Sequence, residues 1–79
     1  MKKLTKENKD FILNLVKKVN NDLALIVQDT DFTNLSYENK IEIANILTDE
    51  FCATGINDDY EPNDRGLRIE ELIDIVLKL

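Results

Sequence analysis

Both glycines and the only proline of this chain lie in one stretch, GINDDYEPNDRG, residues 55–66. A β-sandwich or β-barrel needs many tight turns, and tight turns depend on glycine and proline. The rest of the chain is therefore expected to form a few long elements. An apolar content of 43% suffices for a core, and with 6% aromatic residues that core must be mainly leucine, isoleucine and valine. The sequence predicts an all-α fold, a small single-domain bundle of three to four helices over residues 1–79.

The first predicted helix begins after Thr5, a residue suited to cap it. Its apolar residues recur at steps of three and four and form one stripe: Phe11, Ile12, Leu15, Val16, Val19, Leu23, Ile26 and Val27. The polar residues 20–22 offer a break, which would leave residues 23–27 as a separate short element, or even a strand without a partner. We expect one long helix of about 20 residues, bent near Asn21.

A polar connector, QDTDFTN (residues 28–34), leads to a second predicted helix that Ser36 caps. The apolar stripe of this helix, with two widening positions last, comprises Tyr37, Ile41, Ala44, Leu47, Phe51, Ile43 and Ile46. Gly55 stands where a left-handed residue ends a helix, and Phe51 and Ile56 are spaced for the hydrophobic contact of a Schellman motif. The sequence therefore predicts that the helix ends at Gly55 with left-handed backbone.

The third predicted helix, residues 67–77, is more apolar than one buried face requires. Its inner stripe comprises Ile69, Leu72, Ile73 and Val76, and Ile75 and Leu79 lie beyond the edge of that stripe. Such an excess indicates either a central helix covered on two sides or a surface shared with a partner.

The charge of the chain is divided unevenly between its two parts. Residues 1–21 hold six lysines against two acids, a net charge of +4, whereas residues 22–79 hold four bases against fourteen acids, a net charge of −10. Most of the surface should therefore repel nucleic acid backbones, and we expect no direct nucleic acid binding. The long-range partner that this charge favours is another protein with a basic surface.

The residues for catalysis or metal binding are sparse. The chain has no histidine and a single cysteine, Cys52, which we expect to be a buried or half-buried inert thiol. An EF-hand frame starting at Asp59 places oxygens at Asp59, Glu61, Asn63 and Glu70, but Asp64 then takes the position that requires glycine. We therefore expect no enzyme activity, no metal and no cofactor.

The sequence offers no apolar run of the roughly 18 residues that a membrane-spanning helix needs. The start, MKKLTKENKDF, lacks the apolar region and cleavage site of a secretory signal. We expect no contact with a membrane and a cytoplasmic location.

The stretch between the last two helices combines an aromatic residue with acids. Tyr60 is surrounded by Asp58, Asp59, Glu61 and Asp64, and Pro62 stiffens the backbone. An aromatic anchor within a ring of acids is suited to docking on a basic groove, and we predict these five residues as the partner-binding surface. Two structural alternatives stay open at this point: the stretch is a solvated connector in which Asn63 or Asp64 caps the third helix, or Tyr60 folds back on the core.

Two functions follow from these features. The first is a small acidic protein-binding module, an inhibitor or immunity-type protein of the size and charge seen in bacterial and phage inhibitors of basic proteins. The second is an oligomerisation module, a homodimer that buries Ile75, Leu77 or Leu79 of the apolar C-terminal helix. The packing of these three side chains distinguishes the two functions.

Overall fold

The computed structural model describes residues 4–79, so Lys2 and Lys3 of the basic N-terminal part lie outside the described residues. Residues 4–79 form four helices: α1 (Lys6–Val19), α2 (Asn21–Thr30), α3 (Tyr37–Thr54) and α4 (Asp64–Leu77). The prediction of a small all-α bundle of three to four helices is confirmed. Helix α3 packs against both α1 and α4, and α2 packs against α1.

A polar side chain caps the start of each helix. In every case its oxygen accepts a hydrogen bond from the backbone N–H three residues later, which satisfies a donor that the first helical turn leaves free. The capping residues are Thr5, Asn20, Ser36 and Asn63, with distances of 3.2, 3.1, 3.1 and 2.8 Å. The caps predicted at Thr5 and Ser36 are confirmed, and of the two alternatives for the last helix Asn63 is correct.

Asn20 divides the long first helix that the sequence predicted into two. Its backbone is extended (φ −149°, ψ 94°), so α1 ends there and α2 begins at the next residue. The side chain supports both ends of this break, because its Oδ1 caps α2 and its Nδ2 donates to Glu42 of α3 at 2.9 Å. The prediction of a single bent helix was wrong because the apolar spacing continues across a residue whose side chain stabilises a break.

One buried cluster joins all four helices and the connector between α2 and α3. Its members are Ile12, Leu15, Val16, Leu23, Ala24, Val27, Phe32, Leu35, Ile43, Ile46, Leu47, Ile69, Leu72, Ile75 and Val76. Corrections concern all three predicted stripes. In the first, Val19 and Ile26 are 69% and 46% exposed and lie outside the core. In α3 the buried face is centred on residues 43–47, and Tyr37 is 76% exposed. In α4, Ile75 is buried and Ile73 is only partly buried.

The connector predicted as polar contributes Phe32 to the core, where it is 4% exposed. Asp31, which follows α2, has left-handed backbone. Its N–H donates to the carbonyl of Gln28, and the N–H of Phe32 donates to the carbonyl of Val27. These two bonds are those of a Schellman motif, in which Phe32 and Val27 are the hydrophobic pair. The motif predicted at Gly55 therefore occurs at the end of α2 instead, with aspartate in the left-handed position.

Gly55 ends α3 without left-handed backbone, since its φ is −97°. Any residue can adopt this backbone conformation. Glycine is needed because the backbone of Gly66 lies too close to leave room for a side chain. A Cβ on Gly55 would lie 2.8 Å from the Cα of Gly66, and a Cβ on Gly66 would lie 2.1 Å from the carbonyl oxygen of Gly55. The two glycines thus allow the end of α3 to touch the first turn of α4.

An aromatic ring links α1 to α4. The guanidinium carbons of Arg65 and Arg68 lie 4.9 and 4.4 Å from the ring centre of Phe11, within the range of cation–π attraction. Arg68 also donates to Asn8 of α1 at 3.0 Å. These contacts hold the first turns of α4 against α1.

Candidate functional site

The segment between α3 and α4 forms a small hairpin, residues 55–63, which we call the acidic hairpin. Its stem is an antiparallel bridge between Ile56 and Pro62. Asn57 donates to the carbonyl of Glu61 at 2.8 Å, and the N–H of Tyr60 donates to the carbonyl of Asn57 at 2.9 Å. These bonds close a turn with residues 58–60 at its tip.

The base of the acidic hairpin is fixed to both helices. Asn63 donates from its backbone to the carbonyl of Gly55 at 2.9 Å and from Nδ2 to the carbonyl of Thr54 at 3.0 Å. Arg65, in the first turn of α4, donates to the hydroxyl of Thr54 at 2.9 Å and pairs with Glu50 at 3.0 Å. The glycine contact and these bonds together give the hairpin a defined position on the bundle.

The ionised form of Glu50 is favoured by this arrangement. The hydroxyl of Thr54 donates to its carboxylate at 2.7 Å and Arg65 donates at 3.0 Å, and these hydrogen bonds lower the pKa of Glu50 below its ordinary value of 4.5. Because the folded pKa is lower than the unfolded one, the resulting stabilisation is complete above pH 4.5 and is lost as the pH falls through the lowered pKa.

We expect Glu50→Gln to be less stable than the native chain at pH 7, with the difference narrowing as the pH falls below 4.5. Urea unfolding of both proteins between pH 7 and pH 3 measures this difference in the free energy of unfolding. The comparison with Glu50→Gln isolates this carboxylate, because the two proteins share all their other acids. A stability difference that stays constant over the whole range would show that the charge of Glu50 has no role.

Tyr60 stands at the tip of the hairpin and is 90% exposed. Its ring does not fold back on the core, which removes one of the two structural alternatives. Its φ is 65°, in the left-handed region that glycine and asparagine adopt readily and a bulky residue rarely does. Phe32 has the same φ of 65° but is buried, so Tyr60 is the aromatic residue that combines left-handed backbone with an exposed ring.

The four acids of the predicted surface divide into two groups. Asp58, Asp59 and Glu61 belong to the hairpin and are exposed, and Asp59 also accepts the N–H of Glu61 at 3.2 Å. Asp64 is exposed as well but is the first residue of α4, where the helix dipole favours an acid. An open depression of about 540 Å³ beside the tip is lined by residues 56–59.

Cys52 is exposed, which corrects the prediction of a buried or half-buried thiol. Within residues 4–79, no group of three or more histidine, cysteine, aspartate or glutamate side chains is placed to hold a metal ion. None of the helices in this part of the chain is long and apolar enough to cross a membrane.

The structure has a second candidate surface, at two apolar residues of α3 that the apolar spacing predicted to face the core. Tyr37 and Ile41 line a shallow groove of about 270 Å³ together with Glu38, Glu42 and Asn45. The periodicity could not predict the exposure of Tyr37. Its position fits the apolar spacing, but it is the first residue of α3 and no other element of the described chain covers it.

Comparison with protein-family models, with curated proteins and with solved structures gave no match to this chain.

Proposed function

We propose that the protein is a small acidic binding module that docks the acidic hairpin onto a basic surface of another protein, as an inhibitor or immunity-type protein does. Tyr60 is the anchor of this contact, and Asp58, Asp59, Glu61 and Asp64 supply the complementary charge. The observation that carries the proposal is the combination at Tyr60 of 90% exposure with left-handed backbone.

The backbone conformation of Tyr60 argues for a role outside the folding of the chain. A non-glycine residue in left-handed backbone costs about 1–2 kcal/mol relative to its preferred conformations. An exposed ring gains little from the rest of the protein in return. Exposed aromatic residues in a fixed position are typical anchors of protein interfaces, and a partner contact accounts for a tyrosine where glycine would be more stable.

The surrounding charge supports the choice of a basic partner. The chain has a net charge of −6, and the part that includes the hairpin is more acidic than the whole. Opposite charges on two surfaces accelerate their encounter and contribute less to the lifetime of the complex. Neutral replacements of single acids, such as Asp58→Asn, should therefore lower the association rate and leave the dissociation rate nearly unchanged.

Tyr60→Gly separates binding from folding. We expect the free energy of unfolding of this variant to equal that of the native chain or to exceed it by about 1 kcal/mol, because glycine relieves the left-handed strain. We expect it to bind the partner at least about 30-fold more weakly, the loss of a typical interface anchor. Urea unfolding measures the stability. Capture from a lysate of the source organism, eluted by a salt gradient, identifies the partner, and titration with that partner measures the affinity.

Tyr60→Phe is the matched control, since it keeps the ring and the strained backbone and should keep most of the affinity. A basic protein retained by the native chain and by Tyr60→Phe, and lost with Tyr60→Gly, would support the proposal. If Tyr60→Gly retained the same partner with native affinity, the hairpin would be a connector and the proposal would fail.

Self-association through α4 is the second candidate function. Leu77 and Leu79 are 45% and 43% exposed, so they are open to a second copy of the chain. Ile75 is part of the core, however, which leaves a smaller apolar surface than the sequence predicted. A concentration-dependent dimer in sedimentation that Leu77→Lys abolishes would favour this candidate over the acidic module. The proposed function assigns no reaction to the chain, and the cytoplasmic location stays a prediction.

A further inference from the structure

The groove on α3 lies between two adjacent rows of side chains. Tyr37, Ile41 and Asn45 follow one another at steps of four residues and form the first row, and Glu38 and Glu42 form the second. Residues 37–45 rise about 12 Å along the helix, so the groove is a little over two turns long. Rows of this kind are the surfaces against which a second helix packs.

No other helix of the described chain occupies this groove. The buried residues of α3 are Ile43, Ala44, Ile46 and Leu47, and none of them lines the groove. Tyr37, at 76% exposure, presents its ring at one end of the groove, and Ile41 is partly buried in the middle. An apolar strip of this kind is available to a partner.

The charge along the groove is negative and is not balanced locally. Glu38 has no ion pair or side-chain hydrogen bond within residues 4–79, and Glu42 accepts a bond only from the neutral amide of Asn20. Lys40 is the only base of α3, and its ammonium donates to the carbonyl of Leu79 instead. The second row therefore offers two carboxylates, one turn apart, to a positively charged occupant.

We propose that this groove binds a basic amphipathic helix of another protein. Two leucine-like side chains one turn apart would contact Tyr37 and Ile41, and lysine or arginine residues beside them would pair with Glu38 and Glu42. The length, the row spacing and the charge all fit this occupant, which is a common form of helix-in-groove recognition. The site is separate from the acidic hairpin and does not depend on the function proposed for Tyr60.

The test uses a synthetic 14-residue helical peptide of leucine and lysine with leucines on one face. Its control has the same composition in an order that leaves no apolar face. Titration of the ¹⁵N-labelled protein locates the contact by chemical shift changes, and fluorescence anisotropy of the labelled peptide measures affinity. We expect the largest shift changes at residues 37–45 and clearly weaker binding of the control peptide.

Three variants of the protein sharpen the test. Tyr37→Ala should weaken binding about 30-fold or more, which is the scale of an interface anchor. Glu42→Gln keeps an acceptor for Asn20 and should weaken binding several-fold, whereas Asp29→Asn, an equal loss of charge on an exposed residue of α2, should leave it unchanged. Tyr60→Gly should also bind like the native protein, so failure at the groove and failure at the hairpin are distinguishable.

The opposite results would overturn the inference. Shift changes centred on residues 58–60 or spread over all acidic residues would show attraction without a groove. Equal binding of the two peptides, or native affinity in Tyr37→Ala, would exclude an apolar contact at Tyr37. Equal binding of a peptide with glutamine in place of lysine would exclude the role of the carboxylates. Self-association that covers residues 37–45 would identify a second copy as the occupant.

Discussion

Gly66→Ala is expected to lower the free energy of unfolding by about 3 kcal/mol, at the upper end of the range for overpacked sites. The new Cβ would lie 2.1 Å from the carbonyl oxygen of Gly55, and a backbone atom cannot turn away as a flexible side chain can. Helix propensity alone predicts the opposite sign, because alanine is about 1 kcal/mol better than glycine inside a helix. Urea unfolding therefore distinguishes the two effects by the direction of the change.

The matched control is Glu70→Ala, an exposed position of the same helix where alanine meets no close neighbour and stability should change by less than about 0.5 kcal/mol. Gly66→Ala should also change the amide shifts of residues 55–63, because α4 must move away from the end of α3. A variant as stable as the native chain, with those shifts unchanged, would mean that the close approach of the two glycines does not hold the hairpin in place.

Phe32→Ala is expected to cost about 3–5 kcal/mol, the usual loss for removing a buried phenylalanine. A domain of this size has roughly 4–12 kcal/mol of stability in total, so the variant should be close to unfolded at ambient temperature. Phe32 is also the residue that follows the left-handed end of α2 and belongs with Val27 to the same buried cluster, so that helix end loses support too. Circular dichroism during thermal unfolding, with urea unfolding of the native chain as reference, measures the effect.

Tyr37→Ala is the control for Phe32→Ala, since both remove one ring and only Phe32 is buried. We expect Tyr37→Ala to change stability by less than about 0.5 kcal/mol. Equal losses in the two variants would show that the connector does not belong to the core.

The parts of the fold that local chemistry determines could be predicted. Thr5 and Ser36 cap helices because their hydroxyls accept the N–H groups that a first turn leaves free, a relation between residues three apart. The scarcity of glycine and proline correctly indicated helices rather than many-turned β structure. The acidic hairpin was recognised as a surface segment because aspartate, asparagine, proline and glycine favour turns.

The errors arose where tertiary packing decides between equally good local patterns. The apolar spacing continues through Asn20. The break between α1 and α2 is shown only by the bond from the Asn20 side chain to Glu42 and by the bond it accepts from the N–H of Leu23. Gly55 is the residue type that usually ends a helix with left-handed backbone. Glycine is needed here for a different reason, which is the proximity of Gly66, eleven residues later. The burial of Phe32 depends on the left-handed turn at Asp31, which polar composition does not reveal.

The candidate sites show the same division. Exposure of Asp58, Asp59 and Glu61 follows from their acidity, and the structure agrees. The left-handed backbone of Tyr60 could not be predicted, since aromatic residues rarely adopt it. The groove at Tyr37 was hidden because a partly exposed apolar row has the same spacing as a buried one.

The attachment of the acidic hairpin also makes the protein a candidate scaffold for engineering. The bridge between Ile56 and Pro62, the bonds of Asn63 and the glycine contact all lie below the tip, so none of these attachments involves residues 58–60. Foreign peptide loops inserted there would be displayed from a small frame with closely spaced attachment points. Libraries randomised at the tip could then be selected for new binding specificities while the four helices stay constant.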